Sequence, residues 1–93
     1  MLLTFDAGKS AHNQLTRGLP FERAADFDFA NASIAEDIRQ LYPEKRFVAL
    51  GYLDRRLHVL CFTPTAEGIR IISLRRANTR EVSRYEKSRT LDV

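Results

Sequence analysis

The chain has 93 residues, 44% hydrophobic, 29% charged and 10% aromatic, with 4 Gly and 3 Pro, which suits one core and predicts a single domain over residues 1–93. One cysteine, Cys61, excludes an internal disulfide framework and a multi-cysteine zinc site, and no apolar run approaches the roughly 20 residues of a membrane span. Charge is lopsided: residues 1–44 carry 4 basic and 7 acidic side chains, residues 45–93 carry 11 and 5, and 12 of the 15 basic residues are Arg.

In chain order, Leu2, Leu3 and Phe5 read as a brief strand, and Asp6 can cap a helix over residues 7–17 that Gly18 stops. Pro20 suits a helix start, and Phe21, Ala24, Ala25 and Phe29 predict a second helix to about residue 30. Residues 31–44 read equally as helix or loop, ended by Pro43. The period then becomes strand-like. Arg46–Leu53, Leu57–Thr63 and Ile69–Leu74, separated by Asp54-Arg55-Arg56 and Thr65-Ala66-Glu67-Gly68, predict a three-strand antiparallel meander. Apolar residues on both faces of its first two strands call for cover on both sides. Asn78 and Glu81 form a capping box for a last helix with Val82 and Tyr85 on its inner stripe. Strand, two helices, three strands and a helix make an α+β fold.

Arginine offers phosphate a planar two-point fork and stays charged at any relevant pH. A positive, Arg-rich second half therefore points to a polyanionic partner. The start Met-Leu-Leu-Thr-Phe lacks a basic region followed by an apolar one, so a reducing cytoplasm is the expected compartment, with no membrane partner.

No phosphate loop, zinc-helix motif or nucleophile elbow occurs. His12 and His58 lie 46 residues apart without a cysteine ligand nearby, and Cys61, mid-strand, reads as a packed small hydrophobe. The remaining candidates are Glu44 and Arg46 at the start of the second strand, Arg70, Arg75 and Arg76 along or beyond the fourth, and Tyr85 on the last helix. A meander can bring these strand ends to one sheet edge as an arginine cradle. An equal reading has Glu44 paired with Arg46 or Arg76, Arg70 in water and Tyr85 as a core aromatic with a wet hydroxyl. Simple alternation puts Arg70 and Arg76 on one side and Arg75 on the other.

The sequence resembles the BrnT toxins, small ribonucleases of bacterial type II toxin-antitoxin modules. The likeness runs from about Leu3 to Lys87. Its carriers are Phe5-Asp6 with Lys9 and Asn13; Arg17-Gly18-Leu19-Pro20-Phe21-Glu22 with Ala24-Ala25; Glu44-Lys45-Arg46-Phe47 with Gly51; and, most specific, Ile69-Arg70-Ile71-Ile72-Ser73-Leu74-Arg75-Arg76-Ala77 followed by Glu81 and Tyr85. Phe5 stands where the family usually has Trp and Arg17 where it has His, and residues 31–42 differ from its Pro/Asp-rich loop.

The resemblance implies a RelE-like fold and a metal-independent endoribonuclease that inhibits translation and needs no cofactor. In that chemistry the RNA 2′-hydroxyl attacks the adjacent phosphorus. Arg46 with Arg75 or Arg76 would hold the scissile phosphate, and Glu44 would position an arginine or take the 2′-hydroxyl proton. Arg70, Tyr85 and Lys9 would bind substrate, Tyr85 by stacking on a base or holding phosphate. The implied partner is a BrnA-like antitoxin with a ribbon-helix-helix part, through which alone the toxin meets operator DNA. The alternative is a non-catalytic member that binds nucleic acid or antitoxin only.

Overall fold

The computed structural model describes residues 1–91. The first strand, β1 (Leu2–Phe5), leads into α1 (Ala7–Arg17), with Asp6 as its cap: the Asp6 carboxylate accepts from the Lys9 amide at 2.9 Å. Gly18 ends α1 at φ 69°, the left-handed conformation that glycine adopts without a Cβ penalty.

The expected second helix is shorter and tighter: a 3-10 helix over Phe21–Asp26, after which Phe27 is extended. Phe21, Ala24 and Phe27 recur every third residue, the 3-10 repeat, and all three enter the core. Residues 31–44, expected as helix or loop, contribute an additional strand, β2 (Ser33–Glu36). Non-local pairing with the next strand supplies its backbone partners, which local composition does not reveal.

The meander is present as β3 (Phe47–Leu53), β4 (Arg56–Pro64) and β5 (Gly68–Arg76). Asp54 and Arg55 turn the β3–β4 hairpin with φ values of 52° and 67°, the positive sign a two-residue loop needs to match strand twist. The sheet is mixed, in the order β1-β5-β4-β3-β2, with β1 parallel to β5 and the other pairs antiparallel. Finally, α2 (Thr79–Leu91) starts on the expected capping box, the Glu81 amide donating to Asn78 Oδ1 at 2.8 Å and the Asn78 amide to Glu81 Oε1 at 2.9 Å.

The two faces differ in cover. On the first, α1 and the 3-10 helix close over Ala49, Leu53, Leu60, Phe62, Ile71 and Leu74. Asn13 of α1 docks on the sheet by donating to the carbonyls of Leu19 at 2.6 Å and Leu74 at 2.9 Å. The second face is covered only in part, by α2. Tyr85 is its buried anchor, set edge-on to Tyr52 with ring centres 5.7 Å apart. The uncovered remainder is a groove. No helix among the described residues is long and apolar enough to cross a membrane.

Candidate functional site

The groove holds about 690 Å³. Val48, Leu50, Val59, Cys61 and Ser73 floor it, the segment 37–46 forms one wall, and Glu81, Arg84, Tyr85 and Ser88 of α2 form the other. Four arginines, Arg39, Arg46, Arg75 and Arg84, and three carboxylates, Glu36, Asp37 and Glu81, line it.

A bulge decides which β5 arginines belong here. Cys61 stands opposite Ser73 and Phe62 opposite Ile71, so Ile72 is left over and the alternation shifts by one. Arg70, opposite Thr63, and Arg75, opposite Val59, therefore share the groove face, while Arg76, opposite His58, is on the core face. Simple alternation gave the reverse grouping for Arg70, and Arg76 does not line the groove.

Arg75 sits on the groove floor with its fork already held. Its two terminal nitrogens donate to the two Glu81 oxygens at 2.8 Å each. These bonds, against some burial, draw the Glu81 carboxyl down to about 2. Arg46 reaches the groove from the residue before β3, its guanidinium 4.3 Å from the centre of the Tyr42 ring. The Arg46 Nε and the Thr63 hydroxyl are buried with no hydrogen-bond partner. Among the described residues Arg46 and Arg84 form no ion pair with a carboxylate.

The other candidates lie at or beyond the margins. Glu44 is ion-paired with Arg70, not with Arg46 or Arg76, and lines an adjoining depression of about 530 Å³ made by residues 36–46. Tyr85 reaches the groove, yet it is only 6% exposed, and its hydroxyl donates to the Asn31 carbonyl at 2.8 Å. Its ring is packed by Tyr52 and by Arg89, whose guanidinium is 4.7 Å from the ring centre. Tyr85 thus serves as an anchor of α2 at the groove's edge. Lys9 and His12 line a separate depression between α1 and β5. Burial raises the Cys61 thiol, consistent with a packed side chain, and lowers the His58 imidazole, whose Nδ1 donates to the Arg56 carbonyl at 2.7 Å. No three His, Cys, Asp or Glu side chains gather as metal ligands among the described residues.

Sequence reading missed Asp37, Arg39, Tyr42, Glu81 and Arg84 as groove residues. Glu81, Arg84, Tyr85 and Ser88 follow the i, i+3, i+4, i+7 spacing of one helix face, a signal available in the sequence. Chemically, the groove presents preorganised cationic donors over an apolar floor, which suits a chain of phosphates. Arg46 and Arg84 are available at once, and Arg75 can accept an anion in exchange for Glu81.

Comparison with known proteins agrees with this chemistry. A family model described as ribonuclease toxin, BrnT, of type II toxin-antitoxin system matches residues 5–81. No curated protein and no solved structure matches the chain. The matched span runs from the end of β1 into the first turn of α2 and includes Arg46, Arg75 and Glu81. With most of its length covered, this chain belongs to the BrnT family of ribonuclease toxins of type II toxin-antitoxin systems.

Proposed function

We propose that the protein is a metal-independent endoribonuclease of RelE-like design that cleaves RNA in the groove between the segment 37–46 and α2. The observation that carries this reading is the meeting of Arg46, Arg75 and Arg84, from three separate stretches of chain, in one concave site. Bound there, an RNA phosphate is gripped by Arg46 and Arg75. The 2′-oxygen of the preceding nucleotide forms a bond to phosphorus, its proton leaves, and the bond from phosphorus to the 5′-oxygen breaks as that oxygen gains a proton. The products end in a 2′,3′-cyclic phosphate and a 5′-hydroxyl. Arginines stabilise the extra negative charge as it develops.

Glu44, tied to Arg70, acts by holding that arginine at the groove's end, where it meets the flanking RNA backbone. Arg76 and Lys9 have no part in this assignment because they face elsewhere. The toxin-antitoxin family implies an antitoxin partner; we assign it as a BrnA-like protein that occupies the cationic groove and supplies the operator-DNA contact, with both acting in the cytoplasm.

Purified protein incubated with single-stranded RNA in a chelator is the test. Fragments ending in cyclic phosphate are expected, and affinity should fall with salt at a log-log slope of roughly −0.7 per phosphate neutralised. A salt-sensitive mobility shift without fragments would select the binding-only alternative, and cleavage that vanishes in chelator would remove metal independence.

A further inference from the structure

The segment 37–46 is an odd wall for a rigid site. It has no regular secondary structure, and its largest apolar side chains point outward, Ile38 being 82% and Leu41 100% exposed. An apolar anchor is therefore missing, and an ordered loop needs another source of fixity. That source is Asp37, whose side chain is 2% exposed. Burying a carboxylate is unfavourable unless its oxygens are well supplied with donors, and this one accepts four hydrogen bonds. Three come from Arg39, through its amide at 3.2 Å, Nε at 2.9 Å and Nη2 at 2.8 Å, and the fourth from the Tyr42 hydroxyl at 3.0 Å.

The hub connects to Arg46 by two routes. The Asp37 amide donates to the Arg46 carbonyl at 2.7 Å, which ties the start of the segment to its end. The Tyr42 hydroxyl, held by Asp37, fixes the ring that lies against the Arg46 guanidinium. Among the described residues the Tyr42 hydroxyl donates to Asp37 alone, so Asp37 sets where that ring face stands.

We propose that Asp37 is a positioning residue: through Tyr42 it fixes the Arg46 guanidinium in the groove and holds the wall that Arg46 closes. The inference rests on the reading of Arg46 as a phosphate-gripping arginine. Asp37 itself takes no proton from substrate, since both oxygens are engaged by donors; those same bonds, led by the Arg39 fork, depress its pKa and make it a poor base.

The test compares Asp37→Asn, Tyr42→Phe, Tyr42→Leu and Arg46→Ala, together with the double variant Asp37→Asn/Arg46→Ala, in RNA cleavage. The Arg46 Nε–Hε cross-peak is followed in parallel by NMR. An amide at 37 offers a single acceptor oxygen where two are used, so Asp37→Asn should lower kcat about 10- to 100-fold, the scale of a misplaced catalytic group, with KM changed little. Tyr42→Phe keeps the ring and should retain more activity than Tyr42→Leu. The double variant should cleave no more slowly than Arg46→Ala alone, because a residue acting through Arg46 has nothing left to act on.

In the wild type, the ring current of Tyr42 displaces the Arg46 Hε signal from its open-chain position; Asp37→Asn and Tyr42→Leu should abolish that displacement while leaving the signals of Leu60 and Leu74 in place. A further loss in the double variant equal to that of Asp37→Asn alone would overturn the proposal, as would an unmoved Arg46 signal in Asp37→Asn. If Arg46→Ala cleaves normally while the Arg46 signal still moves in Asp37→Asn and Tyr42→Leu, the positioning holds and the phosphate-gripping role of Arg46 is what fails. Should Asp37→Asn not fold, Tyr42→Phe, which removes the bond to Asp37 and keeps the ring, tests the same link: the Arg46 signal should move relative to the wild type, and an unmoved signal would overturn the proposal.

Discussion

Replacing Glu81 by Gln isolates what one carboxylate does for both the fold and the groove. The amide keeps the side-chain length and can still accept from the Asn78 amide, so the capping box survives while the charge held against Arg75 is lost. Each hydrogen bond to a charged group is worth about 1.5 to 3 kcal/mol when well buried. Here the Arg75 and Glu81 side chains are 36% and 15% exposed, so solvent screening reduces the pair to about 1 kcal/mol. Loss of a negative charge in the first turn of a helix adds about 0.3 to 1 kcal/mol. Urea unfolding at pH 7 should therefore show Glu81→Gln less stable by about 1 to 2 kcal/mol.

The sign with pH follows from the lowered folded-state pKa of about 2 against the ordinary 4.5. The carboxylate's contribution is complete above the ordinary value and disappears as pH falls through 4.5 toward 2. The stability gap between wild type and variant should close over that window. The groove meanwhile becomes more positive by one charge. A phosphate about 6 Å from the removed carboxylate, in a solvent-like dielectric, gains about 0.7 kcal/mol, so single-stranded RNA should bind roughly threefold more tightly at low salt. Weaker RNA binding by Glu81→Gln, or a stability gap that persists undiminished at pH 2, would refute the reasoning.

Three other outcomes are expected. His58 is buried with a lowered pKa, so it folds neutral; below the ordinary value of 6.5 the unfolded chain takes up more protons, and stability should decline with acidification in the wild type but less so in His58→Asn, as measured by thermal unfolding between pH 7 and 5. A Cβ on Gly68 would lie 2.0 Å from the Leu2 carbonyl oxygen and 2.6 Å from its amide nitrogen, both backbone, so Gly68→Ala should cost about 1 to 3 kcal/mol. Hydrogen exchange should then show faster exchange of the β1 amides. Leu60→Ala, at a fully buried position in the core, should cost about 2 to 5 kcal/mol in chemical unfolding, and a loss under 1 kcal/mol would contradict the packing described.

How much of this was legible in the sequence depends on whether a feature is local. Asp6, Gly18, Asn78 and Glu81 announce helix ends because a cap depends on residues within one turn of one another. The meander was legible for the same reason, its strands being joined by short turns. The parallel pairing of β1 with β5 and the edge strand β2 were not, since each takes its partner from across the fold. The 3-10 helix was concealed by Ala25 and Phe29, which complete a 3.6-residue pattern although Ala25 is exposed and Phe27 is the buried core residue, with Phe29 only partly buried against it. In the site, Arg46 and Arg75 could be singled out by composition and resemblance. Arg70 could not be placed on the side of Arg75, because a single unpaired residue, Ile72, shifts the alternation between them, whereas Arg76, next to Arg75, falls on the opposite face with or without the bulge. Asp37 escaped notice because its hydrogen bonds form only once Arg39 and Tyr42 fold back on it.

The central claim is that the cationic groove, and not basic charge in general, cleaves RNA. Single-turnover cleavage of one RNA by Arg46→Ala and Arg76→Ala, measured side by side, tests it most directly, for each removes one arginine and only the first takes it from the groove. The account predicts that Arg46→Ala loses about 10²- to 10³-fold in rate while Arg76→Ala stays within a few-fold of wild type. Equal losses in the two variants, or a loss confined to Arg76→Ala, would contradict it.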